Sequence, residues 1–348
     1  MDMKRCVWVL AFAFGCGGGG GGSGGHMIMN SPYPNCPDCM HAQYVVGPKT
    51  NTATDHGVTV PQSNAQAMML GCDINNDGEI DNQLGKVLGA LKAASMNVDV
   101  QASVDKSFTT GGINVLFDIE YKPSITDTMV SGVKGYIGMH DTTDGKTCDG
   151  TNPCAFYQGG GKFTVTNAVG AGFGGQVKGG AGAYGPGELT IQFPLVMDQP
   201  PLNAHLIAAS LTGTIAMDSI SNGKICGAIP ADELKTTILP QVATLLSAQV
   251  KKGGSTGDTI KSLFDADHSC DTDPACTPTA PATPACNCIT EMEVENNSII
   301  KSLLSPDLDL DPNKNNPFVT DPTDPTFHND ALSLGLGFEA NSAIFPAQ

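Results

Sequence analysis

The sequence predicts an α+β fold, β-rich, with a large antiparallel sheet arranged sandwich-like and a few helices packed on it. Three observations carry that expectation. Short runs alternate apolar and polar residues from Asn97 onward, a glycine-dense stretch from Gly159 to Gly187 demands short or bulged strands, and one long helical pattern runs from Ala231 to Lys251.

The elements follow in order. From Asn82 to Ser95 the apolar residues Leu84, Val87, Leu88 and Leu91 recur at helical spacing. Strands are expected at 97–104, 113–121, 128–138, 161–166, 188–195 and 205–216, each reading as a half-buried alternation. Gly161-Lys162 is followed by Phe163 where a phosphate loop needs Ser or Thr, so no such cradle is present in the glycine-rich stretch. Asn222-Gly223 signals a turn. Leu234, Ile238, Val242, Leu245, Leu246 and Val250 then share one helical face, which Pro240 should kink or split. Gly253 to Gly257 end that helix, and a shorter one through Ile260, Leu263 and Phe264 follows.

The first residues speak to location. Lys4 and Arg5 precede the apolar run 7–15 (VWVLAFAFG), too short to span a bilayer, and Cys16 follows Gly15 directly, with GGGGGGSGG behind it. This resembles the lipobox of bacterial lipoproteins, which implies a signal peptide at 1–15 and acylation of Cys16. Gly17 rather than aspartate after that cysteine implies outer-membrane retention, facing periplasm or surface, under the sorting rule of enteric bacteria. Residues 16–66 read as a lipidated Gly/Ser/Pro-rich tether and arm, and 67–348 as a single α+β domain with a Cys-rich insert at 268–288.

A net charge of −17 over 348 residues repels phosphate backbones and argues against nucleic acid as a partner. It favours cations. Of twelve cysteines, Cys6 and Cys16 lie at the leader, leaving Cys36, Cys39, Cys72, Cys148, Cys154, Cys226, Cys270, Cys276, Cys286 and Cys288 as disulfide candidates. Close pairs such as Cys36/Cys39, Cys148/Cys154 and Cys286/Cys288 suggest stapled turns, although spacing does not dictate pairing. A zinc or redox reading of Cys36-Pro-Asp-Cys39 lacks a second CxxC and a thioredoxin-like unit.

Acidic loops carry the expected chemistry. In Asp73-Ile-Asn75-Asn-Asp77-Gly-Glu79-Ile-Asp81, oxygen donors alternate and glycine takes the sixth place, the spacing of an EF-hand-like calcium loop. Asp73, Asn75 and Asp77 would give side-chain oxygens, Glu79 its carbonyl, and Asp81 a ligand directly or through water. The twelfth place is Leu84, so the site is weak or completed from elsewhere. A second hand is interrupted by the insert: Asp265 and Asp267 end a helix, and Glu293 takes the last place of the exit, so disulfides across 268–288 would bring the three together. A third cluster is Asp307, Asp309 and Asp311, with Asp330 further on. Together they point to Ca2+ as a structural ion.

The phrases DINNDGEIDNQLG (73–85), NGKICGAIP (222–230), ITEMEVENNSIIKSLL (289–304) and DALSLGLGF (330–338) resemble segments of predicted exported lipoproteins of myxobacteria and related bacteria. That resemblance implies an envelope location and calcium-type loops, and it brings no activity with it. Dockerins share the first loop type but carry it in tandem, which this chain does not.

No HExxH occurs and no catalytic residue is assigned; His140 beside Asp141 and His268 near Asp265 read as solvated. The expected role is a non-catalytic binding, adhesion or structural module, held to a membrane by its lipid and meeting an unidentified protein or glycan. The alternatives are a calcium-stabilised extracellular hydrolase and a docking module that acts through its calcium loops.

Overall fold

The computed structural model describes residues 33–34, 36–52, 54–87, 100–168, 172–193, 202–310, 318–319, 323–325 and 327–346. The leader at 1–15, the lipid-site Cys16, the glycine tether and Asp311 lie outside the described residues.

The strands are β1 (Met40–Val46), β2 (Val58–Thr59), β3 (Val115–Tyr121), β4 (Thr128–His140), β5 (Gly161–Ala168), β6 (Phe173–Lys178), β7 (Ala181–Phe193), β8 (Leu202–Ile215), β9 (Ser219–Pro230), β10 (Asp309–Leu310), β11 (Phe318–Val319) and β12 (Ala331–Ile344). Eight of them close a ring in the order β1-β3-β4-β6-β7-β8-β9-β12 and back to β1, every pair antiparallel. The sandwich-like α+β fold expected from the sequence is therefore corrected to one dominated by a closed eight-stranded antiparallel barrel. Tyr44 shows why: it stands opposite Phe117 of β3 on one side and Ser342 of β12 on the other, leaving no free edge where a sandwich has one. β5 runs outside the ring, antiparallel to the end of β4 and parallel to the end of β12.

Bulges between Thr128 and Ser131, between Tyr184 and Leu189, and between Phe338 and Ala340 bend the strands enough to close. The inward face carries Tyr44, Phe117, Ile119, Val133, Phe173, Tyr184, Leu211, Ile220, Leu336 and Phe338, all buried in one cluster. An eight-stranded barrel is just wide enough for side chains to fill, and here Phe117 meets Phe338 at 5.6 Å while the Ser131 hydroxyl lies 3.1 Å from that of Tyr184. The glycines make room for these rings. A Cβ on Gly187 would stand 2.5 Å from Phe173, and one on Gly223 2.5 Å from Phe338.

Several boundaries shift from expectation. The segment placed in the arm contributes β1, whose Tyr44, Val45 and Val46 are core residues. The strand expected at 97–104 is instead a helix, Val100–Thr110; Val100, Val104 and Phe108 recur at every fourth residue on its buried side, a spacing that a window ending at 104 truncates. Asn222-Gly223 lies within β9 rather than at a turn, with Asn222 at φ +51 and its N–H donating to Glu339. Residues 83–87 are helical as expected, and residues 88–95 of the expected span lie outside the described residues.

The long helix divides where proline demanded it. Ala231–Glu233 passes into a π-helical turn, Leu234–Ile238, and then into the helix Leu239–Lys252 with Pro240 in its first turn. That helix packs with Gly254–Phe264, Glu291–Asn296 and Ser298–Leu303 on a second buried cluster that includes Cys270, Cys276, Cys286 and Cys288.

On the outer side of the barrel, Asp118 of β3 is 2 % exposed and is held by His41 Nδ1 at 3.1 Å. Burial raises its carboxyl above the ordinary value, with the His41 contact pulling the other way. A carboxyl whose value is higher in the folded chain contributes stability below its unfolded value, and that contribution is lost as pH rises through the folded value. Glu339, also raised by burial, acts with the same sign. The urea midpoint is expected to rise as pH is lowered toward the ordinary carboxylate range, and Asp118→Asn should flatten that slope; an unchanged slope in the variant contradicts the assignment.

Candidate metal centres

The described cysteines pair as Cys36–Cys39, Cys72–Cys226, Cys148–Cys154, Cys270–Cys288 and Cys276–Cys286. The suggested Cys286/Cys288 staple is replaced by two bridges that each reach across the insert. Cys276, Cys286 and Cys288 lie close enough to resemble a metal cluster, but their sulfurs are spent in disulfides and offer no thiolate.

The 73–81 loop is tied to the barrel by Cys72–Cys226 and closed on itself by a Cys72–Asp81 bridge. Its oxygens turn largely to its own backbone. Asp73 accepts from the N–H groups of Asp77 and Gly78, each at 3.0 Å, Asp77 from Glu79 at 2.8 Å, and Asp81 from Ile74 at 2.8 Å. Asn75 is buried and gives its amide to Asp77 at 3.0 Å, Glu79 is exposed, and Gly78 takes the positive φ of +94 that its place requires. Burial pushes the Asp81 carboxyl up to about 6 against the Ile74 hydrogen bond, and the charges of Asp307 and Asp77 add to the rise. Asp307 thus neighbours this loop, its own carboxylate accepting from Ser333 N–H at 2.8 Å and hydroxyl at 2.5 Å.

The interrupted hand does converge. Ligand oxygens of Asp265, Asp267 and Glu293 all lie within 4.8 Å of one another. Cys270–Cys288 draws the two ends of the insert together, and Ser269 Oγ donates to the Cys288 carbonyl at 2.7 Å. Glu293 is fixed on both sides. Its Oε1 accepts from Ala266 N–H at 2.8 Å, and its Oε2 from Thr290 N–H at 2.8 Å in a capping box. Asp265 is 6 % exposed and accepts from Cys270 N–H at 3.2 Å.

The third cluster separates. Asp307 faces Ser333, whereas Asp309 and Asp330 meet at His328, a ligand type the acidic pattern did not include. His268 also falls in a group with Asp265 and Asp271.

Of the histidines read as solvated, His268 stays exposed with Asp271 at 3.9 Å, and His140 is closely partnered. His140 stacks on Phe156 at 3.9 Å and bonds Asp144, not Asp141, at 3.0 Å. His56 bonds Asp105 at 3.0 Å beside a cleft of about 220 Å³ lined also by Asp55, Asn51 and Thr109.

No protein-family model, curated protein or solved structure matches the chain. Among the described residues no helix is long and apolar enough to cross a membrane.

Proposed function

We propose that this chain is an exported, lipid-tethered envelope protein whose barrel serves as a non-catalytic binding or structural module with Ca2+ holding its loops. The observation that carries the calcium part is the disulfide-closed convergence of Asp265, Asp267 and Glu293. Three converging carboxylates suit a hard cation. The apolar run ending at Cys16 and the resemblance to myxobacterial lipoproteins support export and anchoring, and five disulfides accord with an oxidising compartment.

The test is unfolding of the oxidised chain with calcium, with magnesium and with chelator. Saturating calcium, at roughly a hundred to a thousand times the dissociation constant, should stabilise by about 3 to 4 kcal/mol. Glu293→Gln should remove most of that gain; no shift at millimolar calcium would sink the metal reading. Acylation is tested separately, by incorporation of labelled palmitate that Cys16→Ser abolishes.

A docking role through the first loop has one observation in its favour. Met68 and Met69, at the end of the Asn64–Leu70 helix leading into the loop, and Ile80 within it are exposed apolar residues.

A further inference from the structure

We propose that Asp309, His328 and Asp330 form a separate site for a nitrogen-accepting divalent transition ion, Zn2+ being the probe of choice, and not a calcium loop. Ligand atoms of the three residues lie within 4.8 Å of one another. The strands place them: an antiparallel Leu308–Ala331 bridge sets Asp309, at the start of β10, beside Asp330, which precedes β12. Leu308, Leu310 and Ala331 anchor this corner in a buried cluster with Ile207 and Ala228.

The second observation is the state of Asp309 itself. Its side chain is 1 % exposed; Oδ2 accepts from the His328 backbone N–H, and Oδ1 is buried without a hydrogen-bond partner. A desolvated carboxylate oxygen with open lone pairs is costly and calls for a cation. His328 Nδ1 stands 3.9 Å from that oxygen, too far to hydrogen-bond, and Nε2 stands 3.7 Å from Asp330 Oδ2. Asp330 Oδ1 is already held, by Leu310 N–H at 2.9 Å, which orients the carboxylate.

The donor set decides the ion. Calcium takes oxygens, whereas an imidazole with two carboxylates suits zinc and its first-row neighbours. Three protein donors leave a coordination position for water or for a ligand atom. A protonated His328 is the rival occupant, since imidazolium between two carboxylates would also balance charge.

Calorimetric titration of the full oxidised chain with Zn2+ and with Ca2+ separates these. One zinc equivalent is expected, weakened about tenfold or more in Asp309→Asn and in His328→Ala, a loss that even outer-shell partners of a ligand can produce. His328 is 68 % exposed, so its variant should fold as the parent does. Zinc binding should survive Glu293→Gln, and His328→Ala should leave calcium binding unchanged, so failure here is distinct from failure of the calcium reading. Absence of zinc binding, zinc binding that follows His268→Ala instead, or equal loss of calcium and zinc in His328→Ala overturns the proposal.

Discussion

Replacing Cys72 and Cys226 together by alanine is expected to destabilise the oxidised chain by about 5 kcal/mol, in the chain-entropy account of cross-links. The bridge spans 154 residues, the longest separation of the five, and Cys226 sits fully buried in β9. By the same account the Cys148–Cys154 bridge, with a separation of 6, contributes about 2 kcal/mol. The contrast is the test. Urea midpoints at constant m-value should separate the two double variants clearly, and equal losses would show that loop length does not govern their stability. A second consequence follows from where Cys72 stands. It opens the 73–81 loop, so loss of the bridge removes one of the loop's ties to the barrel, while the backbone pairing with Asp81 stays, and should weaken any calcium effect there.

How far the sequence announced this architecture depends on the element. Runs such as 113–121 and 205–216 alternate because one side faces the barrel interior, and those strands were legible. The closure was not. An alternating strand looks the same whether its inner face meets a second sheet or the far wall of its own, and the deciding contact joins Tyr44 to Ser342 from opposite ends of the chain. β12 escaped notice for a related reason: residues 331–338 are buried on both faces, so the polar alternation that marks a strand is missing.

The candidate sites follow the same logic. Asp265, Asp267 and Glu293 were legible because an insertion leaves the two ends of a loop pattern intact, and disulfides bring those ends together. His328 was not, since it joins Asp309 only through the Leu308–Ala331 pairing. The coupling of Asp307 to Asp81 is likewise tertiary, and no local spacing reports it. Acidic alternation at 307–311 suggested one site, whereas two of its carboxylates serve different neighbours, Ser333 and His328.

Asn82→Ala is expected to cost about 3 to 5 kcal/mol, although nothing in the sequence marks this residue beyond its place after Asp81. Asn82 is fully buried and uses its whole amide. Nδ2 donates to the carbonyls of Ala67 at 3.0 Å and Gly335 at 2.9 Å, and Oδ1 accepts from the N–H groups of Gly85 at 3.0 Å and Gly335 at 2.9 Å. It therefore ties the Asn64–Leu70 helix and the helical turn at 83–87 to the middle of β12. Alanine would leave buried backbone groups unpaired, each costing roughly 1 to 3 kcal/mol where water cannot reach it. Asn82→Asp discriminates further, since a carboxylate keeps the two accepted bonds but sets lone pairs against the two carbonyls, so it should not rescue stability. Urea midpoints report the cost, and hydrogen exchange at Gly335 and across 73–81 reports its location. A loss below about 1 kcal/mol would mean the network is replaceable. A large loss with faster exchange confined to these segments would show that this buried amide, rather than the acidic residues themselves, seats the first loop on the barrel.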